Sequence, residues 1–322
     1  MRLRTAMLTI HKNISGDFVT AAPDQPLNGA WLQLTQPTPE ELAQAAKLLA
    51  IPVRLLDFSF ENDGSPRIVK QKNCLVIMIH IPVSNDNGTY NTVPLNFILT
   101  PDFSVTISQS DSAFLASILL NEEGRFDSNA PCRFLFQLLY QSGAEFLRHI
   151  QQIRQRTDAI EVVLRKAATN KEVYLLLNLE KGLTYFTAAL RGNIIVVETI
   201  FRLSADPKLH HFLSLRREDE DLLESVILEN KRALVMVETY STILSSMMNA
   251  FSSVIANNLN HIMKFLASIT IILSIPTVFS SFWSMSMVVP WQGTANGFWY
   301  VTLISLCASA CAAYVLWRKK ML

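Results

Sequence analysis

Residues Phe265 to Trp317 read FLASITIILSIPTVFSSFWSMSMVVPWQGTANGFWYVTLISLCASACAAYVLW, and these 53 consecutive positions hold no Asp, Glu, Lys, Arg or His. In the whole chain 17% of residues are charged, so the gap marks a stretch meant for a different solvent. The segment Pro290-Trp291-Gln292-Gly293-Thr294-Ala295-Asn296-Gly297 divides it into two apolar runs, each close to the roughly 20 residues that a helix needs to cross the hydrocarbon core. Two membrane-spanning helices joined by a short uncharged loop are predicted. Lys264 precedes the first span and Arg318-Lys319-Lys320 follow the second, with no positive charge between them, which puts both termini on the cytoplasmic side. Trp283, Trp291, Trp299 and Tyr300 then fall near the far interface and Trp317 near the cytoplasmic one, where amphipathic rings prefer to lie.

The first span has a second pattern. Thr270, Ser274, Thr277, Ser281 and Ser284 recur at steps of four, three, four and three, which at about 100° per residue keeps them in one narrow stripe. Hydroxyls so placed either bond back to their own helix and ease close packing, or line water. One stripe cannot enclose a pore, so the second reading requires several copies of the chain around an axis. Pro276 lies within the stripe and removes one helical hydrogen bond, a change that membrane helices tolerate.

Composition narrows the classes. With 322 residues there is room for one soluble domain besides the membrane part. Four of the 28 basic residues (Lys264, Arg318, Lys319, Lys320) belong to the membrane end, which leaves 24 basic against 27 acidic residues before it, a balance of −3 that offers no nucleic-acid-binding face. The cysteines Cys74, Cys132, Cys307 and Cys311 form no Cys-x-x-Cys pair and have no histidine at zinc spacing. Cys307 and Cys311 read instead as small residues that let the second span pack closely. Met1-Arg2-Leu3-Arg4 is followed by no apolar core long enough for a signal peptide, so the part before the spans is expected in the cytoplasm. The six histidines are scattered, no nucleophile and base are paired, and no glycine-rich phosphate loop is present, so an enzyme is not expected.

Residues 1–128 carry β-like runs and a clear helix start: Thr38-Pro39-Glu40-Glu41 sets a capping hydroxyl before Pro at the first helical position and Glu at the third. Cys74 to Val83, Thr92 to Leu99 and Phe103 to Ser108 read as strands, with Asn85-Asp86-Asn87-Gly88 as a hairpin turn and Thr100-Pro101-Asp102 as the next. An α/β domain with a mixed or antiparallel sheet follows. Asp57, Glu61, Asp63 and Arg67 form a charged patch, which is either a solvated loop or an inter-subunit cation or salt-bridge site. From Cys132 the spacing turns helical, to about Lys166 and then from about Lys171 to Leu203, a hairpin of long struts spanning 129–210. A third helical pattern starts near Leu215 and meets no Gly or Pro before Pro276, so a stalk over 211–262 should run straight into the membrane, its sixty residues about 90 Å long at 1.5 Å each. Met236, Leu244, Met247, Met248, Phe251, Val254, Ile255, Leu259 and Met263 give it an apolar stripe suited to self-association.

Asn257-Asn258-Leu259-Asn260-His261-Ile262-Met263-Lys264-Phe265-Leu266, then Ile275-Pro276-Thr277 ahead of Phe282-Trp283-Ser284-Met285-Ser286, closely resemble the CorA-type magnesium transporter family. The resemblance is specific over residues 229–287, and before residue 128 it rests on Trp31-Leu32 and Pro66-Arg67. It implies a funnel-shaped homopentamer, with an α/β cytoplasmic domain, long stalk helices, a pore-lining first span over 263–286, an extracytoplasmic loop over 287–297, an outer second span over 298–317 and a basic tail over 318–322. The implied cargo is Mg2+ or another divalent cation, with no organic cofactor, and the implied partners are further copies of the chain and membrane lipid. Asn260, Met263 and Leu266 fall where the family places pore rings at the cytoplasmic end. Ser274 and Thr277 fall where further rings lie within the membrane, between Thr270 and Ser281 of the same stripe. Arg318, Lys319 and Lys320 match the family's ring of positive charge around the neck.

The family pattern is departed from in two places. At the outer mouth the family has Gly-Met-Asn and this chain has Ser284-Met285-Ser286. A Ser286 hydroxyl can accept an outer-sphere hydrogen bond from a hydrated ion but reaches less far than an Asn amide, and Ser284 adds a Cβ where the family has none. In the stalk, the family commonly has an Asp at a regulatory cation site and this chain has Asn249. Three functions remain open on these grounds: a magnesium channel driven by the membrane potential, the same scaffold carrying zinc, cobalt, nickel or a monovalent ion, and a non-conducting pentameric scaffold or sensor.

Overall fold

The computed structural model describes residues 8–14, 17–21, 27–49, 51–56, 64–71, 73–85, 88–109, 113–120, 126–166, 170–206, 212–213, 216–284 and 296–321. The chain divides into two compact units, Met1–Ser246 and Met247–Leu322.

The first unit is an α/β sandwich around a seven-stranded sheet. The strands are β1 (Leu8–Ile14), β2 (Asp17–Ala21), β3 (Ala30–Thr35), β4 (Arg67–Lys70), β5 (Leu75–Ser84), β6 (Tyr90–Leu99) and β7 (Ser104–Ser108), in the spatial order β2-β1-β3-β7-β6-β5-β4. Every neighbouring pair is antiparallel except β3 and β7, which run parallel with Trp31 opposite Ser104 and Leu34 opposite Ile107. The sheet is therefore mixed. Gly88 adopts φ +74°, a left-handed backbone that glycine enters without steric cost, and the Asn85–Thr89 connection closes with Gly88 N–H on the Asn85 carbonyl at 2.8 Å.

Alternation along the strands sends side chains to two cores. On one face Leu32, Leu34, Val76, Ile98, Val105 and Ile107 meet Leu42, Ala45 and Leu49 of α1 (Pro39–Leu49) and Leu56 of α2 (Val53–Leu56). On the other, Trp31, Ile77, Ile79, Leu95 and Phe97 meet α3 (Ala113–Leu120), α4 (Pro131–Lys166) and α5 (Asn170–Ser204) through Phe114, Phe134, Leu138, Val197 and Ile200. Strands β5 and β6 are thus buried on both faces over much of their length, which is why their sequences read as apolar runs. Helices α4 and α5, read from sequence as a hairpin of long struts, give part of their length to this second core.

Local signals set the helix starts. The Thr38 hydroxyl accepts the Glu41 N–H at 3.3 Å while Glu41 Oε2 accepts the Thr38 N–H at 2.8 Å, a reciprocal cap on α1. Helix α6 (Arg217–Trp283) opens with Arg216 N–H donating to Asp219 Oδ2 at 3.1 Å, and Glu218, Asp219 and Glu220 stand in its first turn, where the helix dipole favours them. It then runs for 67 residues and passes through Pro276 without ending. Leu223 and Val226 near its start belong to the core of the first unit.

The second unit contains the remainder of α6 and α7 (Gly297–Arg318). Both helices carry a window long and apolar enough to cross a membrane, and only 6% and 11% of these windows, respectively, are buried within the chain. Exposure on that scale distinguishes them from the core helices of a soluble protein.

Candidate ion-conduction helix and its basic flank

On α6, Asn260, Met263, Leu266, Thr270, Ser274, Thr277, Ser281 and Ser284 are all exposed. Ser268 is buried, and Ile269, Ile272, Ile275, Pro276, Phe279 and Trp283 are partly covered. At about 100° per residue the centres of these two sets lie roughly 180° apart. The hydroxyl stripe therefore occupies the side of the helix turned away from its intrachain cover. On α7 the covered positions are Val301, Thr302, Ser305, Ala308, Ser309, Ala312, Ala313 and Leu316, again one stripe and mostly of small residues. Cys307 and Cys311 lie on the opposite side of α7 and are exposed within the single chain.

The two helices meet at one end through a polar contact. Ser268 Oγ lies 2.8 Å from the Lys264 carbonyl and 3.1 Å from the Met321 carbonyl. Met321 is placed by the way α7 stops. Lys320 takes φ +55°, its N–H donates to the Trp317 carbonyl at 2.9 Å, and the Met321 N–H reaches back to the Leu316 carbonyl at 3.1 Å. These are the two bonds of a Schellman motif, here with lysine in the left-handed position that glycine usually fills. Arg318 in the last turn of α7, and Lys319 and Lys320 just after it, are exposed.

Three hydroxyls of the stripe bond back to their own helix. Thr270 Oγ1 donates to the Leu266 carbonyl at 2.8 Å, Ser274 Oγ to Thr270 at 2.7 Å and Thr277 Oγ1 to Leu273 at 3.1 Å. Each proton is thereby committed to the helix's own backbone. Each oxygen keeps lone pairs free, so the surface offers acceptors to any donor in front of it. Water around a cation points its hydrogens outward, and such a surface suits a hydrated ion. Among the described residues no three His, Cys, Asp or Glu side chains come together. The helix thus presents hard oxygen ligands without a carboxylate or thiolate cage.

Other sequence candidates fall elsewhere. Met285 and Ser286 of the mouth lie outside the described residues, as do Asp57, Glu61 and Asp63 of the charged patch and most of the 287–297 loop. Arg67 stands half-buried on β4, and Asn249 is exposed on α6.

The perturbed titratable groups belong to the α/β unit, and their causes are structural. Burial lowers His11, His80 and His149, against weaker opposing hydrogen bonds from Gln33, the Gly64 carbonyl and the Glu145 carbonyl. Burial, with a further push from the Asp219 carboxylate, raises the Cys132 thiol to about 12. Arg133 is raised, and Glu218 lowered, first by the 2.9 Å hydrogen bond that joins them. A thiol held so high is no nucleophile at neutral pH.

Residues 28–320 match the family described as CorA-like Mg2+ transporter protein. The cobalt/magnesium transport protein CorA of Methanocaldococcus jannaschii is 22% identical over 294 residues, 90% of either chain. The complete structure of the CorA magnesium transporter from Methanocaldococcus jannaschii superposes with TM-score 0.80 at 18% identity, over 97% of this chain and 98% of that one. The structure of the full-length CmaX protein gives 0.69 at 18% identity, over 98% of both. With its two unburied apolar helices and a family match that runs from the third strand to the basic tail, this chain belongs to the CorA-like Mg2+ transporter protein family of membrane-embedded divalent-cation transporters.

Proposed function

We propose that the chain assembles as a homopentamer whose first spans, residues 263–286, surround a water-filled path for Mg2+, with the second spans, 298–317, as an outer ring. The observation that carries this reading is the opposition of the two faces of α6: intrachain cover on the Ser268 side, exposed hydroxyl acceptors on the Thr270 to Ser284 side. A helix that turns its apolar side to its own hairpin partner and keeps polar groups on the other needs further copies to shield that polar side from lipid. Asn260, Met263 and Leu266 form rings at the cytoplasmic end, Thr270, Ser274, Thr277 and Ser281 form rings within the membrane, and Ser284, Met285 and Ser286 form the outer mouth. Ser286 holds the ion through its water shell. Asn249 marks a weak regulatory cation site. Both termini lie in the cytoplasm, by the placement of Lys264 and Arg318-Lys319-Lys320.

Uptake is driven by the membrane potential. An inside-negative 100 mV favours a divalent ion by about 4.6 kcal/mol, twice the value for one charge. A second reading keeps this scaffold and changes the ion, and what favours it is the mouth, where serines stand in place of the family's Gly and Asn. Both are tested by flux into liposomes that hold the purified protein and a magnesium-sensitive dye under an inside-negative potential. Saturable magnesium uptake by the unmodified protein supports the first reading. Uptake only after Ser284→Gly with Ser286→Asn supports the second, and no uptake by either protein rejects the magnesium path.

A further inference from the structure

The end of β5, the start of β6, the start of α3 and the middle of α4 enclose a cavity of about 280 Å³ within the first unit. One side of it is apolar, with Pro82, Val83, Val93 and Phe114. The other is Glu145, Arg148 and His149, which steps of three and four place together on one face of α4. Glu145 and His149 are 8% and 5% exposed, whereas the Arg148 side chain is 56% exposed and so stands at the rim.

The bonds these three groups already make leave a definite set of atoms for a ligand. Arg148 Nε donates to Glu145 Oε2 at 2.8 Å, so Glu145 Oε1 stays unbonded among the described residues. His149 Nδ1 lies 2.9 Å from the Glu145 carbonyl, which can only accept, so the ring proton sits on Nδ1 and Nε2 carries a lone pair. Burial lowers the pKa of this imidazole and keeps it neutral. Tyr90 and Phe186 stand edge-on to the ring, centroids 5.9 and 6.1 Å away, and fix its plane.

The buried part thus offers two acceptors, one of them charged, and the rim offers a cationic donor. A ligand that satisfies both has an ammonium group at the buried end, a carboxylate toward Arg148 and a short aliphatic part against the apolar wall. Its charges sum to zero, as do those of Glu145 and Arg148, so no net charge enters the cavity. The volume, just below the range that drug-sized ligands fill, suits a molecule of this size. A divalent metal fits less well, because a guanidinium is already bonded to the carboxylate and no three His, Cys, Asp or Glu side chains come together among the described residues.

We propose that this cavity binds a small zwitterionic amino acid with an aliphatic side chain, its ammonium on Glu145 and His149 Nε2 and its carboxylate on Arg148. The site is independent of the conduction reading above.

The test is calorimetric titration of the full-length protein in detergent with L-valine, with isobutylamine, which lacks the carboxylate, and with isovalerate, which lacks the amine. L-valine is expected to bind saturably, one per chain, and each analogue at least about tenfold more weakly, as the loss of one charge-assisted contact predicts. Glu145→Gln and Arg148→Gln should each weaken L-valine about tenfold for the same reason. Arg148→Gln alters an exposed side chain, and it decides the placement should Glu145→Gln not accumulate. No saturable binding of L-valine to the unmodified protein overturns the proposal, and so does binding left unchanged by the substitutions. Isobutylamine bound as tightly as L-valine removes the carboxylate contact and overturns the zwitterion. Zn2+ bound more tightly than L-valine, and lost in Glu145→Gln, would make the cavity a metal site instead.

Discussion

Asn193 of α5 pairs with the backbone of His80 on β5 as a strand would: Asn193 Oδ1 accepts the His80 N–H at 2.9 Å and Asn193 Nδ2 donates to the His80 carbonyl at 2.7 Å. Strand β4 pairs with β5 only from Leu75 to Met78, so beyond that point the edge of β5 has no strand beside it among the described residues. The amide takes its place. It also ties α5 to the sheet, and Asn193 is 1% exposed.

Asn193→Ala leaves a buried N–H and carbonyl without partners. A loss of about 3 kcal/mol is expected, since each orphaned group costs roughly 1–3 kcal/mol. Asn193→Asp is expected to destabilise as well, because a carboxylate can accept from His80 but cannot donate to its carbonyl. Chemical denaturation followed by circular dichroism checks both. A change within 0.5 kcal/mol, the range of about what surface substitutions do, would deny the amide this role.

Thr277→Val keeps the shape of the side chain and removes the outward acceptor. If Thr277 faces the ion path, uptake should fall roughly tenfold, the equivalent of 1.4 kcal/mol added to the barrier. Ile272→Val, on the covered face of the same helix, should leave uptake nearly unchanged. Equal effects at the two positions would remove the distinction between the faces.

Acid should loosen the α/β unit through its buried imidazoles. His11, His80 and His149 are each held below the ordinary value of 6.5, so above it neither the folded nor the unfolded chain protonates them. Below it the unfolded chain takes up protons that the folded one resists, and stability falls until the depressed folded values are passed. Thermal unfolding scanned downward from pH 7.5 should show a flat stretch and then a decline starting near pH 6.5. His149→Gln should make that decline shallower.

Cys132 should resist alkylation. With its thiol at about 12, the thiolate fraction at pH 8 is about one in ten thousand. Iodoacetamide at pH 8 should leave Cys132 unmodified by peptide mass spectrometry while the protein is folded, and modify it in denaturant. Rapid labelling of the folded protein would show that its surroundings are not those described.

The spans, the cap on α1, the long helices and strands β5 to β7 are legible in sequence because each has a local cause: an uncharged run, a Thr-x-x-Glu pair, a period of 3.6 or an apolar run between turn residues. The small elements are not. Strand β2, with Asp17, Val19 and Thr20 exposed, has little burial pattern to read, and α3 is apolar on every side, so neither shows a period. The Asn193 pairing is silent for another reason, since its partner is a main-chain group 113 positions away that any residue would supply. The stripe from Thr270 to Ser284 can be found by counting. Ser268 cannot, because it is one more hydroxyl on the same apolar helix and only its contact with the Met321 carbonyl, 53 positions away, sets it apart.

The single parallel pairing in the sheet has a consequence for how the chain is made. During synthesis β1, β2 and β3 are complete when Thr35 leaves the ribosome, yet the open edge of β3 waits for β7, which ends at Ser108. The interval is 73 residues, from 35 to 108, roughly 4 to 15 seconds at about 5–20 residues per second. For that time a nascent three-stranded ribbon displays Trp31, Leu32 and Leu34 beside an unpaired row of backbone donors and acceptors, an invitation to other strands. A holding chaperone that acts on this chain should therefore engage it early, well before either apolar span has been translated.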